Sequence, residues 1–296
     1  MDIKPFKTIS EQIDILKQKN LIINDEKAAA NILAHINYYR LSGYTLTLRK
    51  NDRFYNNVSF EQVMQIYNFD AELRAVLLYA LEYIEVSFRT YIGYYHSKKY
   101  GPLGYLDKST FADEKRCDEF HEEVRQLIES NERNQLFITH HKEKYNSHFP
   151  MWVIVEIMQF GCLSRLFKNL DEELKKEICT TFYSPIPYTY IENWLQAFVV
   201  LRNICAHRGR IYNRYITFTP KLSKKDKELF RRNNLDLSKA GKQLFTFIFV
   251  MNKVIDDNVV WNNFINKIDT LIKKYPFVKI SFCGFPENWW NILYRS

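Results

Sequence analysis

Arg202 and His207 stand with four residues between them, and Asn203 follows the Arg directly. An Arg brings a permanent charge in a planar fork that fits anionic oxygens, and a His brings an imidazole that titrates near neutral pH. Upstream, Ile191, Trp194, Leu195, Phe198, Leu201 and Cys205 recur at helical spacing. That pattern predicts an amphipathic helix ending near Gly209. At ~100° per residue His207 falls opposite Phe198, with Asn203 one turn earlier on the same exposed face. Arg202 projects from the edge of the apolar stripe, where its stem can be buried while its fork reaches toward whatever the His faces.

The spacing alone is weak. Among 16 Arg and 7 His, four pairs have four to six residues between them: Arg89 with His96, Arg116 with His121, Arg133 with His140, and Arg202 with His207. The last differs in its setting, because an Asn follows the Arg, an apolar helix precedes it and a dense basic segment follows the His. The same residues also suit a helix C-terminus whose cations complement the dipole.

The elements that must position this cluster are helical. With 46% hydrophobic and 16% aromatic residues, the 296-residue chain can bury a large core in one unit or two closely joined ones. No apolar run approaches the ~20 residues of a membrane span, and the polar start lacks the apolar region of a signal peptide, so the expectation is a soluble, cytoplasmic protein. Five scattered cysteines without a Cys-x-x-Cys pair indicate neither a disulfide framework nor a zinc site.

In chain order, a short helix is expected around Ile9, Ile13 and Leu16, and a second over residues 26–39. The flanks of Asn51-Asp52 also suit a short two-stranded hairpin. Residues 60–97 carry the longest helical pattern, interrupted by nothing but Gly93. Within it Glu85 precedes Arg89 by four residues, an ordinary intrahelical ion pair of about 0.3 kcal/mol. Alternatively, Glu85 or Arg89 meets Arg202 across the bundle and orients it. Gly101-Pro102-Leu103-Gly104 ends that helix. Residues 113–148 are charged with mixed sign, a solvated excursion; their His140, His141 and His148 lack a carboxylate at metal-ligand spacing. Further helices are expected over 151–169, 171–181 and 240–275, and the closing Cys283-Gly284-Phe285-Pro286-Glu287-Asn288-Trp289-Trp290 should pack its rings.

Charge is lopsided. Residues 201–232 hold ten Lys or Arg against two acids, a net of +8 that equals the formal charge of the whole chain. Such localisation is the electrostatic footprint of a phosphate-backbone partner, with Arg208, Arg210, Arg214, Lys221, Lys224, Lys225, Arg231 and Arg232 as the contacts. Tyr212, Tyr215 and Phe218 offer stacking faces for bases. A solvated basic loop is the plainer alternative.

Several motifs together resemble the Abi-like family of bacterial phage-defence proteins, the AbiD/AbiF group. They are Lys4-Pro5-Phe6, Asn37-Tyr38-Tyr39-Arg40-Leu41-Ser42-Gly43-Tyr44, Ile84-Glu85-Val86 with Arg89, Pro150-Met151-Trp152 with Glu156 and Gly161, Leu201-Arg202-Asn203-Ile204-Cys205-Ala206-His207, and Gly284-Phe285-Pro286-Glu287-Asn288-Trp289. That family is similar to the HEPN superfamily, with its all-helical fold and its Arg-x(4–6)-His ribonuclease motif. The resemblance implies an all-α, HEPN-like helical bundle over residues 60–296, with a charged insertion near 111–148. Residues 1–59 would form an N-terminal helical extension carrying the hairpin.

The resemblance also implies chemistry. RNA carries its own nucleophile, the 2′-hydroxyl, so no metal cofactor is needed. His207 would be the general acid or base, Arg202 would hold the phosphate oxygens, and Asn203 would orient the His or the phosphate, with Glu85 and Arg89 in support. A homodimer would bring two copies of the motif to one cleft. A small structured noncoding RNA is the expected silencing partner, and RNA the substrate. An RNA-binding scaffold without cleavage is the competing function, because binding and cleavage need the same cations.

Overall fold

The computed structural model describes residues 3 and 5–295; Lys4 of the Lys4-Pro5-Phe6 motif lies outside them. The chain is all-α. It runs α1 (Ile9–Gln18), α2 (Glu26–His35), α3 (Tyr38–Ser42), a hairpin of β1 (Arg49–Lys50) and β2 (Arg53–Phe54), and α4 (Phe60–Tyr100). It continues through α5 (Glu114–Asn131), α6 (Leu136–Lys144), α7 (Met151–Ile157), α8 (Phe160–Asn169), α9 (Glu172–Tyr183) and α10 (Tyr188–Ala206). The last third holds α11 (Lys224–Arg232), α12 (Leu237–Ala240), α13 (Leu244–Met251), α14 (Asn258–Lys274) and α15 (Trp289–Leu293). Among the described residues no helix is long and apolar enough to cross a membrane.

The spine is α4, 41 residues long, or ~60 Å at ~1.5 Å per residue. A capping box starts it: Ser59 Oγ accepts the Gln62 N–H, and Gln62 Oε1 accepts the Ser59 N–H at 3.0 Å. Gly101, at φ 81°, ends it. Its buried Val63, Ile66, Leu73, Leu77, Leu81, Ile84, Phe88 and Ile92 face a ring formed by α7, α8, α9, α10 and α14. A Cβ on Gly93 would lie 3.1 Å from the Trp152 Cα, so the glycine is what lets α7 approach this closely. Buried side chains from Ile13 to Leu293 form one core, which the N-terminal residues share.

The hairpin is shorter than its apolar flanks suggested. It forms because Asn51 (φ 50°) and Asp52 (φ 62°) both accept the positive φ of a type I′ turn. Three stretches expected as single helices are divided. In 26–39, Ile36 is extended and Asn37 Oδ1 accepts the Tyr39 N–H at 2.8 Å, starting α3 afresh. In 240–275, Asp257 caps α14 through the Val259 and Val260 N–H groups at 2.8 and 3.0 Å. In 151–169 the break falls at Met158-Gln159, where α7 passes to α8. The charged stretch 113–148 forms α5 and α6. The closing aromatics are packed, with Phe285 edge-on to Phe245 at 5.2 Å and to Trp289 at 5.5 Å.

Candidate functional site

α10 ends three residues before the expected Gly209, and the manner of its ending sets the site. His207 is the C-cap and Arg208 takes the left-handed conformation at φ 57°. The Arg208 N–H donates to Cys205 O at 3.0 Å and the Gly209 N–H to Ile204 O at 2.7 Å, the paired bonds of a Schellman motif. Glycine normally occupies the left-handed position, because any Cβ there is strained. Here an Arg does. The turn leaves the His207 side chain exposed, with its backbone N–H donating to Asn203 O at 3.0 Å. Asn203 is exposed one turn earlier, and its Oδ1 accepts from Arg202 Nη1 at 3.4 Å.

Arg202 turns toward α4, where its Nε lies 3.9 Å from Glu85 Oε2. The other oxygen of Glu85 accepts from Arg89 Nη2 at 2.5 Å. Arg89 Nη1 in turn donates to the carbonyls of Val155 and Glu156, both at 2.6 Å. Those are carbonyls at the end of α7, where Val155 O also accepts the Met158 N–H, so Arg89 adds a second donor to Val155 O and bonds Glu156 O. The chain of contacts therefore runs from the α7–α8 break through Arg89 and Glu85 to Arg202. Only Arg202 of these three retains substantial exposure, 35% against 13% for Glu85 and Arg89.

Beneath the turn lies a polar cluster that sequence reasoning missed. Asp70 is fully buried and Arg74 nearly so, and the two form an ion pair one turn apart on α4. Asp70 Oδ1 accepts the N–H groups of Ile211 and Tyr212 at 2.9 and 2.6 Å, while Oδ2 accepts the Tyr44 hydroxyl at 2.8 Å. Arg74 Nη1 lies 3.4 Å from Gly209 O, and Arg40 Nη2 donates to Arg208 O at 2.7 Å. Burial, reinforced by the Asp70 charge, raises the pKa of Tyr44 and keeps the hydroxyl a donor. The motif Asn37–Tyr44 thus meets the turn after His207 directly through Arg40 and, by way of Asp70, through Tyr44. A signal for Asp70 and Arg74 was present, since both interrupt the apolar face of α4 defined by Ile66, Leu73 and Leu77.

The basic segment divides into free and committed cations. Arg208, Lys221, Lys224, Lys225 and Arg231 are exposed, as is Tyr215 at 54%. Arg214 is half-buried, with Nη1 at 3.3 Å from Arg210 O. Arg232 is exposed but paired with Glu228. Two expected RNA contacts are corrected. Tyr212 is buried at 2%, its ring against Phe282, so it has no free face for a base. Arg210 is half-buried and donates to the carbonyls of Tyr212 and Asn213, which commits its fork to shaping the turn. Among the described residues no group of three His, Cys, Asp or Glu could hold a metal ion.

Fold and site together define an all-helical protein that presents exposed Asn203 and His207 and a half-buried Arg202 at a fixed helix end, next to a strongly basic segment. The family model of Abi-like proteins matches residues 31–213, more than half the chain, and the chain belongs to that family. The matched span takes in the 37–44 motif, Glu85, Arg89 and the 202–207 cluster. Membership points to abortive infection, a form of phage defence. No curated protein and no solved structure matches significantly.

Proposed function

We propose that this Abi-like protein is a metal-independent, HEPN-type endoribonuclease of phage defence, acting in the cytoplasm and kept silent by a small structured noncoding RNA. The observation that carries the reading is the end of α10: an exposed imidazole on a pinned turn, about one and a half turns after a guanidinium that lies 3.9 Å from Glu85. His207 moves the proton of the 2′-hydroxyl or of the leaving oxygen. Arg202 grips the phosphate oxygens as charge builds on them, and Asn203 orients that fork or the phosphate. One motif supplies one imidazole, so a twofold dimer pairing two motifs in one cleft would complete both proton transfers.

The test is labelled single-stranded RNA incubated with the protein in EDTA. Cleavage should leave a 2′,3′-cyclic phosphate or its 3′-phosphate, whereas a 3′-hydroxyl would indicate metal-dependent water attack. His207→Ala should abolish cleavage with fold and RNA affinity nearly intact, and Arg202→Ala should weaken both. A folded His207→Ala protein that cuts at the wild-type rate sinks the assignment. Tight binding without cleavage identifies a scaffold instead.

A further inference from the structure

The exposed side of α10 continues well beyond the cluster. Asn193, Gln196, Val200, Asn203 and His207 recur at three- or four-residue intervals, with Glu192 beside the first, and all are exposed or half-buried. From Gln196 to His207 this stripe spans ~16 Å at ~1.5 Å per residue. Its far end walls a cavity of about 430 Å³ whose other sides come from α5, α8 and the segment bearing Phe218 and Lys221. That volume falls in the range of small-ligand sites.

The basic segment is fastened along the same helix. It departs at His207 and is pinned back at Lys221, whose N–H donates to Asn193 Oδ1 at 2.6 Å and whose carbonyl accepts from Trp194 Nε1 at 2.8 Å. The segment therefore joins the helix end, where Arg208 is exposed, to the cavity rim, where Lys221 is exposed. Acids in the cavity wall are largely answered there. Arg165 holds both oxygens of Glu123 at 2.7 and 2.6 Å, and Lys175 pairs with Glu192 at 2.8 Å. Lys168 and Lys221 remain exposed at its rim, the Phe218 ring is half-buried in its wall, and Gln196 offers both a donor and an acceptor.

We infer that this cavity holds one nucleotide of the RNA strand whose cleaved phosphate lies at His207, a few nucleotides away. Phe218 stacks on the base, the Gln196 amide reads its edge, and Lys168 and Lys221 take the adjoining phosphates. The site would give the nuclease a base preference remote from the cut. Its placement rests on the ribonuclease reading, but occupation of the cavity by RNA does not depend on cleavage.

The experiment uses full-length His207→Ala protein and an RNA whose cut site is known from the wild type. Single 4-thiouridines are placed at successive positions, irradiated, and the crosslinked peptides mapped. Crosslinks to the cavity wall should come from a base a few nucleotides from the cut, and crosslinks to residues 207–215 from the cut itself. Phe218→Ala should weaken RNA binding roughly tenfold. The exposed Lys168→Ala, which leaves the packing alone, should weaken it with a shallower salt dependence. Crosslinks confined to 207–215, with both variants binding like the parent, overturn the inference. So do cavity crosslinks that free nucleoside monophosphates abolish without affecting RNA affinity, which would mark a site for free nucleotide. If the wild type cleaves no RNA, the same scan is run on an RNA that it binds, and cavity crosslinks then uphold RNA occupation of the cavity while the nuclease reading and the distance to a cut fall.

Discussion

At the scale of single residues, Arg208 is the departure from what stability alone would select. Its φ of 57° is one that glycine tolerates freely and a side chain does not, and a non-glycine residue there costs about 1 kcal/mol. Nothing in the Schellman hydrogen bonds requires a guanidinium, since they use backbone N–H groups and carbonyls alone. The side chain is exposed beside His207, where a phosphate would need a cation. Arg208→Gly should therefore raise unfolding stability by about 1 kcal/mol, offset in part by the unfolded-state entropy of glycine. It should also lower RNA affinity. A denaturant titration paired with a binding isotherm reads both, and a variant that is stabilised yet binds RNA undiminished would show that Arg208 has no part in binding.

At the scale of elements, α4 carries two buried polar features with opposite consequences. Asp70 and Arg74 answer each other, and Asp70 also receives two backbone N–H groups and a hydroxyl. Asp70→Asn leaves Arg74 buried without its counter-charge, a change costing about 3–5 kcal/mol, whereas Tyr44→Phe removes a hydroxyl that donates to Asp70 and accepts weakly from Arg74, at a cost of about 1–3 kcal/mol. Hydrogen exchange should localise the Asp70→Asn opening to residues 208–213, and a uniform loss of protection would contradict the clamp. His96, by contrast, is fully buried, and neither ring nitrogen has a hydrogen-bond partner among the described residues. Burial pushes its pKa down from 6.5 to about 4. Between those values the unfolded chain binds a proton that the folded one refuses, so stability is intact above pH 6.5 and falls as pH drops toward 4. The loss amounts to about 3 kcal/mol, and His96→Leu should flatten that part of the stability–pH curve. An unchanged acid slope in the variant would exclude His96 as its source.

For the whole molecule, legibility in the sequence followed the range of the forces. The length of α4 and the Arg202–Asn203–His207 cluster were readable, because helical periodicity and a helix end are local. The α7–α8 break was not, since residues 151–169 contain no proline and the carbonyls of Val155 and Glu156 at the break receive Arg89, far upstream. The clamp was hidden for the same reason: Asp70 and Tyr212 are 142 residues apart. The tertiary structure likewise re-sorts the +8 segment, which the sequence presents as one set of equivalent cations. Exposed Lys221, Lys224, Lys225 and Arg231 are available to phosphates, whereas Arg210 is committed to carbonyls and Arg232 to Glu228. Each cation removed from a phosphate should reduce the slope of log affinity against log salt by roughly 0.7 for single-stranded RNA. Neutralising Lys221, Lys224, Lys225 and Arg231 together should cut the slope by about four such steps, and the proposed guarding RNA should be lost from protein purified at low salt. Arg210→Ala should act on the fold, lowering unfolding stability and loosening the turn after His207, with a smaller change in slope. Equal slope changes for Arg210 and for the exposed lysines would mean that RNA rearranges the segment on binding and draws Arg210 out of the turn.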